Sequence, residues 1–387
     1  MAQEYAKYDE IDQDQLQEDI EAIKKNIGTP TWEDFQHLLK LEKWGRALTF
    51  SGYFLISVIS FLEAAGFGLS GFAFWEMSII AALAMGVGNV SRWANVAHPI
   101  LHGAYDKVKN VPYRYTKAGF AKGIRRYVDW LDWIKPDAWA YEHNIMHHYH
   151  LGEKDDPDNI EMNLNIISKL PVWIKYIFVS LLAATWKLSY YAPNTLRVLE
   201  NKESRKHNLE ESGSLEYTPF TRNGRELWKN YISPYFTVKF VLIPLLFLPL
   251  GTEAVTTVLL VTFMAELVAN VHSFLVIVPN HSAGDIYKFN EPHKSQGEFY
   301  LRQIMGSVNY NTGSDLIDFG HGWLNYQIEH HLFPNLTLSQ YQKMQPIVKE
   351  VCAKHNLAYR QESVFKRMKM TIDLMVGKTG LLSVDRV

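Results

Sequence analysis

The 387-residue chain has a single cysteine, Cys352. That excludes an internal disulfide framework and any all-cysteine zinc or iron–sulfur site. Net charge is nearly absent: Lys+Arg 39 against Asp+Glu 41 give −2, which leaves no nucleic-acid footprint at whole-chain level. Residues 1–46 hold no long apolar run, and they lack the basic start, short apolar core and small-residue cleavage site of a signal peptide. They read as a soluble or interfacial amphipathic arm, with a helix start at Thr31-Trp32-Glu33-Asp34. A composition of 47% hydrophobic and 21% charged residues excludes a disordered chain and argues against ten or more spans. Against the single cysteine stand 15 histidines, so a metal bound here is bound by nitrogen.

The average composition hides apolar blocks. Residues 47–67 and 68–90 are each about one bilayer span long, joined by a glycine-rich stretch at 66–71. A second pair covers 231–251 and 253–278, joined at Gly251-Thr252-Glu253. Between the pairs, 170–188 is apolar but carries Lys175 and Lys187, and reads as a helix lying in the membrane interface. Neither hairpin tip contains Lys or Arg, whereas Lys107, Lys109, Arg114, Lys117, Lys122, Arg125 and Arg126 follow the first hairpin. The positive-inside rule then puts both termini in the cytosol. The expected fold is an all-α, multi-pass membrane protein: two transmembrane hairpins (four spans), a cytosolic helical cap at 91–230 and 279–345, and interfacial helices. An arm (1–46) precedes the membrane domain (47–345), and a cytosolic tail (346–387) follows it. Glu76, Lys239 and Glu266 fall inside spans, where such residues face a bundle interior or a polar cavity.

Thirteen of the 15 histidines lie between residues 98 and 331. His98 and His102 are spaced to share a helix face as the second span ends. Four more occupy 143–150; His143 and His147 share a face, and His148 lies about 100° round. His150 is the least secure of these. The acidic run Glu153, Asp155, Asp156, Asp158 reads as a solvated loop, with orientation of imidazoles as the alternative. His281 follows the last span, and His330-His331 form a third cluster. His272 reads as a satisfied polar group within a span, His321 is ambiguous, and His37, His207, His293 and His355 read as isolated surface residues. Span parity brings the clusters to one membrane face. Eight imidazoles (His98, His102, His143, His147, His148, His281, His330, His331) exceed the roughly four ligands of one zinc, so two metals fit. Iron, zinc, copper and nickel all accept such ligands.

HPILH at 98–102, HNIMHH at 143–148 and QIEHHLFP at 327–334 resemble the three histidine boxes of integral-membrane fatty acid desaturases, in order, separation and hairpin layout. The last box is most similar to that of front-end acyl desaturases, in which Gln replaces its first His. The resemblance spans residues 45–345. It implies two non-haem irons, O2 as co-substrate, electrons from a donor, and introduction of a cis double bond into an acyl lipid, acyl-CoA or acyl-carrier substrate. It carries the eight imidazoles over as iron ligands and adds Gln327, directly or through water. No HPGG motif of a fused cytochrome b5 domain occurs, which implies a separate ferredoxin or cytochrome b5-type donor and a bacterial inner membrane or endoplasmic reticulum location. The basic stretch from Lys107 to Arg126 contacts anionic lipid or docks the donor. Trp93, Trp139 and Trp323 lie near boxes and line a tunnel or serve as core. Lipid hydroxylases and other di-iron lipid oxygenases share these boxes. A membrane zinc hydrolase is disfavoured by the surplus of histidines, and a metal transporter by their position past the span ends.

Overall fold

A computed structural model describes residues 7–164, 167–207, 210 and 213–384. Residues 1–6 of the expected arm, 165–166, 208–209 and 211–212 of the cap, and 385–387 of the tail lie outside the described residues. Helix α1 (Gln13–Asn26) is started by Asp12, whose carboxylate accepts from the Gln15 amide; Leu16, Ile20 and Ile23 recur along one face and are buried. Helix α2 (Trp32–Ala64) starts where the sequence suggested, with reciprocal capping between Thr31 and Asp34. It runs unbroken for 33 residues, roughly 50 Å, against a hydrocarbon core of about 30 Å. The chain has no structural break at residue 46, because the polar end of α2 projects from the apolar run as one helix.

Helix α3 (Gly71–Leu101) returns antiparallel to α2 through a turn that sets Gly66 and Gly68 at positive φ. The two helices approach closely because small residues face each other. A Cβ on Gly45 would sit 2.6 Å from Ser91 Oγ, and one on Gly88 would sit 2.7 Å from the Gly45 carbonyl oxygen. Helix α4 covers 136–150 in continuous helical turns. Helices α5 (Val172–Glu200), α6 (Arg222–Leu250) and α7 (Thr252–Asn280) follow, and the α6–α7 turn places Gly251 at φ 104°.

Five of these helices, α2, α3, α5, α6 and α7, are long and apolar enough to cross a membrane. Four were expected from the sequence, with the α5 segment laid in the interface because of its lysines. The structure buries one of them: Lys187 Nζ lies 3.1 Å from Asp132 and 3.4 Å from Glu266. Its charge is neutralised inside the protein, so it does not mark a water-facing helix. Lys239 and Glu266 are buried as expected of charges within spans, but Glu76 is exposed.

The remaining elements close over the ends of α3 and α7. Helices α8 (Gln296–Met305), α9 (Gln327–Leu332), α10 (Leu338–Lys354) and α11 (Val364–Met375) alternate with short strands. Strand β1 (Tyr287–Phe289) pairs in parallel with β4 (Leu382–Val384), and β2 (Asn309–Tyr310) with β3 (Gln361–Glu362). These pairings stitch the C-terminal segment to the cap. Arg367 of α11 is fully buried and donates to both Asp285 oxygens at 2.7 and 2.8 Å. No break falls at residue 345 either, since α10 runs through it.

Because the α2–α3 contact has no room for a side chain, Gly88→Val is expected to destabilise the protein by about 1–3 kcal/mol. Thermal unfolding in detergent measures this; an unchanged midpoint would contradict the close approach.

Candidate metal centre

Each of the first two histidine clusters sits where a helix departs from regular winding. A π-helical turn at Arg92–Ala97 immediately precedes His98, and a second covers Glu142–His147. Such turns re-aim side chains and concentrate at functional sites. His281 follows the end of α7, and His330 and His331 lie on α9.

These elements bring all eight predicted imidazoles together. One ring nitrogen from each of His98, His102, His143 and His330 lies within 4.8 Å of the others, and those of His147, His281 and His331 form a second such group. His148 lies between them. Its Nε2 is 3.0 Å from His330 Nε2 and 3.3 Å from His143 Nε2, and its ring stacks on His331 at 4.3 Å. His98 Nε2 is likewise 3.1 Å from His143 Nε2 and 3.2 Å from His330 Nε2. One proton at most serves each such pair, so several lone pairs converge without donors. His102 Nε2 and His331 Nε2 are buried with no hydrogen-bond partner. This donor set fits two metal ions that accept nitrogen. Gln327 reaches the second group, its amide nitrogen 3.1 Å from His281 Nε2 and its amide oxygen buried without a partner. His143 and His147 keep adjacent rings, 5.5 Å apart, yet their nitrogens join different groups. The shared face read from their spacing therefore serves two centres.

A model of the fatty acid desaturase family matches residues 73–363. The chain belongs to this family. It is accordingly an oxidoreductase. It is 23% identical over 372 residues to the NADPH-dependent stearoyl-CoA 9-desaturase of Mycobacterium tuberculosis, covering 92% of this chain and 77% of that one. To the Delta(5) fatty acid desaturase A of Dictyostelium discoideum it is 24% identical over 248 residues, 60% of this chain and 50% of that one. To the Delta(8)-fatty-acid desaturase 1 of Arabidopsis thaliana it is 38% identical over 96 residues, 25% of this chain and 20% of that one.

The far nitrogens of the desaturase imidazoles are tied back to the protein. His147 Nδ1 is 3.0 Å from Asp156, His331 Nδ1 is 2.8 Å from Gln303, His281 Nδ1 is 2.9 Å from the Gly306 carbonyl, and His330 Nδ1 is 3.0 Å from the Tyr341 hydroxyl. Such bonds set ring orientation and tautomer. Asp156 and Glu153 are buried, 6% and 5% exposed, which corrects the reading of their segment as a solvated loop. Asp156 also accepts from the Gly152 and Asp158 amides, and Glu153 pairs with Arg302. Sequence spacing missed Gln303 and Tyr341, because α8 and α10 reach the site only through tertiary packing. The signal for Asp156 was present, since acids beside a histidine box suit this role.

Two of the three tryptophans touch the centre. Trp139 stacks on His143 at 4.7 Å, and Trp93 lies parallel to His98 at 5.9 Å. Trp323 instead packs against His37. The other histidines stand apart. His272 bonds the Gly320 carbonyl through Nε2 at 2.7 Å, whereas its Nδ1 is buried without a partner, so the group expected to be satisfied is only half so. His150 meets Glu153, and His321 bonds the Ile317 carbonyl of its own turn. His207 is exposed, but three expected surface residues are not free: His37 pairs with Asp315, His355 with Asp19, and His293 with Glu153.

Two spaces meet at the imidazoles. One cavity of about 400 Å³ has His98, His143, His147, His281 and Gln327 on one wall and Phe178, Leu182, Trp186, Phe274 and Ile277 on others. A more polar groove of about 630 Å³ reaches His102, His148 and His331 and is edged by Lys24, Lys107 and Lys117.

Burial, reinforced by neighbouring imidazoles, holds His143, His148, His330 and His331 well below the usual imidazole range. They are neutral, as ligands must be. Burial also works against the His147 charge, but Asp156 more than offsets it and raises that group. Metal-stripped protein should therefore lose stability as pH falls below about 6.5, where the unfolded chain takes up protons that four folded imidazoles refuse. His147 has the opposite sign and only partly compensates. Thermal midpoints at pH 7.5 and 5.5 check this; equal midpoints would contradict it. Asp156→Asn should weaken metal affinity by roughly 10–100-fold, read by competition with a chelator; unaltered affinity would remove Asp156 from this role.

Proposed function

We propose that the protein is an O2-dependent fatty acyl desaturase that introduces a cis double bond into an acyl chain, using two non-haem irons held by histidine. The observation that carries this reading is the convergence of eight imidazoles beside an apolar cavity. His98, His102, His143 and His330 would hold one iron, and His147, His281 and His331 the other. His148 lies between the two, and Gln327 joins the second directly or through water. When bound, the irons would supply O2 activation and hydrogen removal from an unactivated methylene.

The chain's own residues do the rest. Asp156, Gln303, Tyr341 and the Gly306 carbonyl keep four imidazoles oriented. Trp93 and Trp139 pack against His98 and His143 and exclude water from that wall. Phe178, Leu182, Trp186, Phe274 and Ile277 present an apolar surface that suits methylenes and confines them near the imidazoles. The substrate is an acyl lipid, acyl-CoA or acyl-carrier protein; the name of the mycobacterial relative supports the acyl class. Electrons come from a separate ferredoxin or cytochrome b5-type donor.

Four membrane spans fit this site better than five. If α5 crossed along with α2, α3, α6 and α7, His147 and His281 would lie on opposite faces. Their rings are 5.0 Å apart. Helix α5 therefore stays on one side of the membrane, and both termini and the histidines share the cytosolic side.

Expression in a host with a compatible donor, followed by lipid mass spectrometry, tests the function. A mass loss of two hydrogens on a defined acyl chain is expected, and it should vanish in His147→Ala and His330→Ala proteins that still insert in the membrane. A gain of one oxygen would make the enzyme a hydroxylase. Product formation by either variant at the normal level would overturn that ligand assignment.

A further inference from the structure

A separate cavity of about 190 Å³ lies between α2, α3, α6 and the 114–129 segment, and no imidazole of the metal centre lines it. Four cations surround it: Arg46, Arg92, Arg114 and Lys239. Only two carboxylates do, Glu42 and Asp129, and both are engaged. Glu42 accepts from Arg46 and from the Tyr115 hydroxyl at 2.6 Å, and Asp129 takes a forked pair from Arg125 at 2.6 and 2.9 Å. The nearby acids Asp132 and Glu266 are held by Lys187.

Three cations are left without an ion pair among the described residues. Arg92 donates to the Leu131 carbonyl and Arg114 to the Tyr115 hydroxyl. Lys239 is 7% exposed; its Nζ lies 3.5 Å from Asn89 Oδ1 and over the rings of Tyr53 and Tyr235 at 5.9 and 6.0 Å, with no carboxylate in ion-pair contact among the described residues. Three cations gathered on one cavity, none paired with a carboxylate of its own among the described residues, repel one another and favour an anion there. Its rim carries exposed apolar side chains, Phe50 at 68% and Val128 at 59%, and Phe50 lies on an apolar helix long enough to cross a membrane. A small soluble anion has no use for such a rim, whereas basic pockets between membrane helices suit lipid head groups.

We propose that this cavity binds the phosphate of an anionic phospholipid through Arg92, Arg114 and Lys239, with the lipid's acyl chains lying along the Phe50 face of α2. The lipid phosphate offsets the mutual repulsion of Arg92, Arg114 and Lys239 and ties α2, α3 and α6 together at the membrane surface. The basic stretch after the first hairpin thereby acquires, at Arg114, a specific lipid contact. The site is distinct from the acyl cavity and does not depend on the desaturase reading.

Full-length protein is purified, delipidated in detergent and titrated with phosphatidylglycerol, phosphatidylcholine or inorganic phosphate. Thermal unfolding and native mass spectrometry are the readouts. Phosphatidylglycerol should raise the unfolding midpoint and leave one retained lipid per chain, and the other two ligands should not. Lys239→Met and Arg114→Gln should each weaken the phosphatidylglycerol response by roughly fivefold or more. Lys122→Gln, in the same basic stretch but outside the cavity, should leave it intact. If Lys239→Met fails to fold, the Arg114→Gln result decides. An equal response to phosphatidylcholine or to inorganic phosphate, or undiminished phosphatidylglycerol binding by Arg114→Gln, would overturn the proposal.

Discussion

Neutral imidazole has one N–H and one lone pair, and that asymmetry governs this protein's interior. Where Nδ1 donates outward to Asp156, Gln303 or the Gly306 carbonyl, Nε2 is left with a lone pair facing inward. In the other group, around His98, His143, His148 and His330, neighbouring Nε2 atoms stand 3.0–3.3 Å apart, so one proton at most serves each pair. Such a nest of acceptors is costly to bury without cations. The helices, the cap strands and the buried carboxylates all serve to hold these rings in place. Arg302, for example, anchors Glu153, which in turn bonds His150 and His293 around the site's edge.

Much of this was legible in the sequence, because histidine is a poor helix former and crowding it at helical spacing gains little unless the rings hold a metal. The three clusters, His281 and the apolar runs were read directly from local pattern. Other features resisted for physical reasons. The π-helical turn at Glu142–His147, which carries His143 and His147 into different groups, leaves no mark in residue spacing. The partners Gln303 and Tyr341 are ordinary polar residues on distant helices. Asp156 was visible but misjudged, since an acidic run in a loop looks solvated until the fold encloses it. The charge of Lys187 suggested contact with water, whereas Asp132 and Glu266 neutralise it in the interior, so the sidedness proposed for α5 rests on the imidazoles rather than on this lysine.

The arrangement of spaces around the centre has chemical logic. The apolar cavity meets His98, His143, His147 and His281, while the polar groove meets His102, His148 and His331. Under the proposed function, an acyl chain and an electron donor would approach from different sides of the same imidazoles. Separation of this kind keeps water from the methylenes while leaving a route for electrons. Cap and membrane portions form one packed unit, with α2 and α10 each running through a boundary expected from the sequence.

The central claim is that this nest of lone pairs holds two irons. Elemental analysis of protein purified under reducing, iron-replete conditions measures it most directly. Two irons per chain are expected, lost together when His330, which contacts both His98 and the bridging His148, is replaced by alanine. One zinc per chain, with turnover that needs neither O2 nor a reductant, would contradict it.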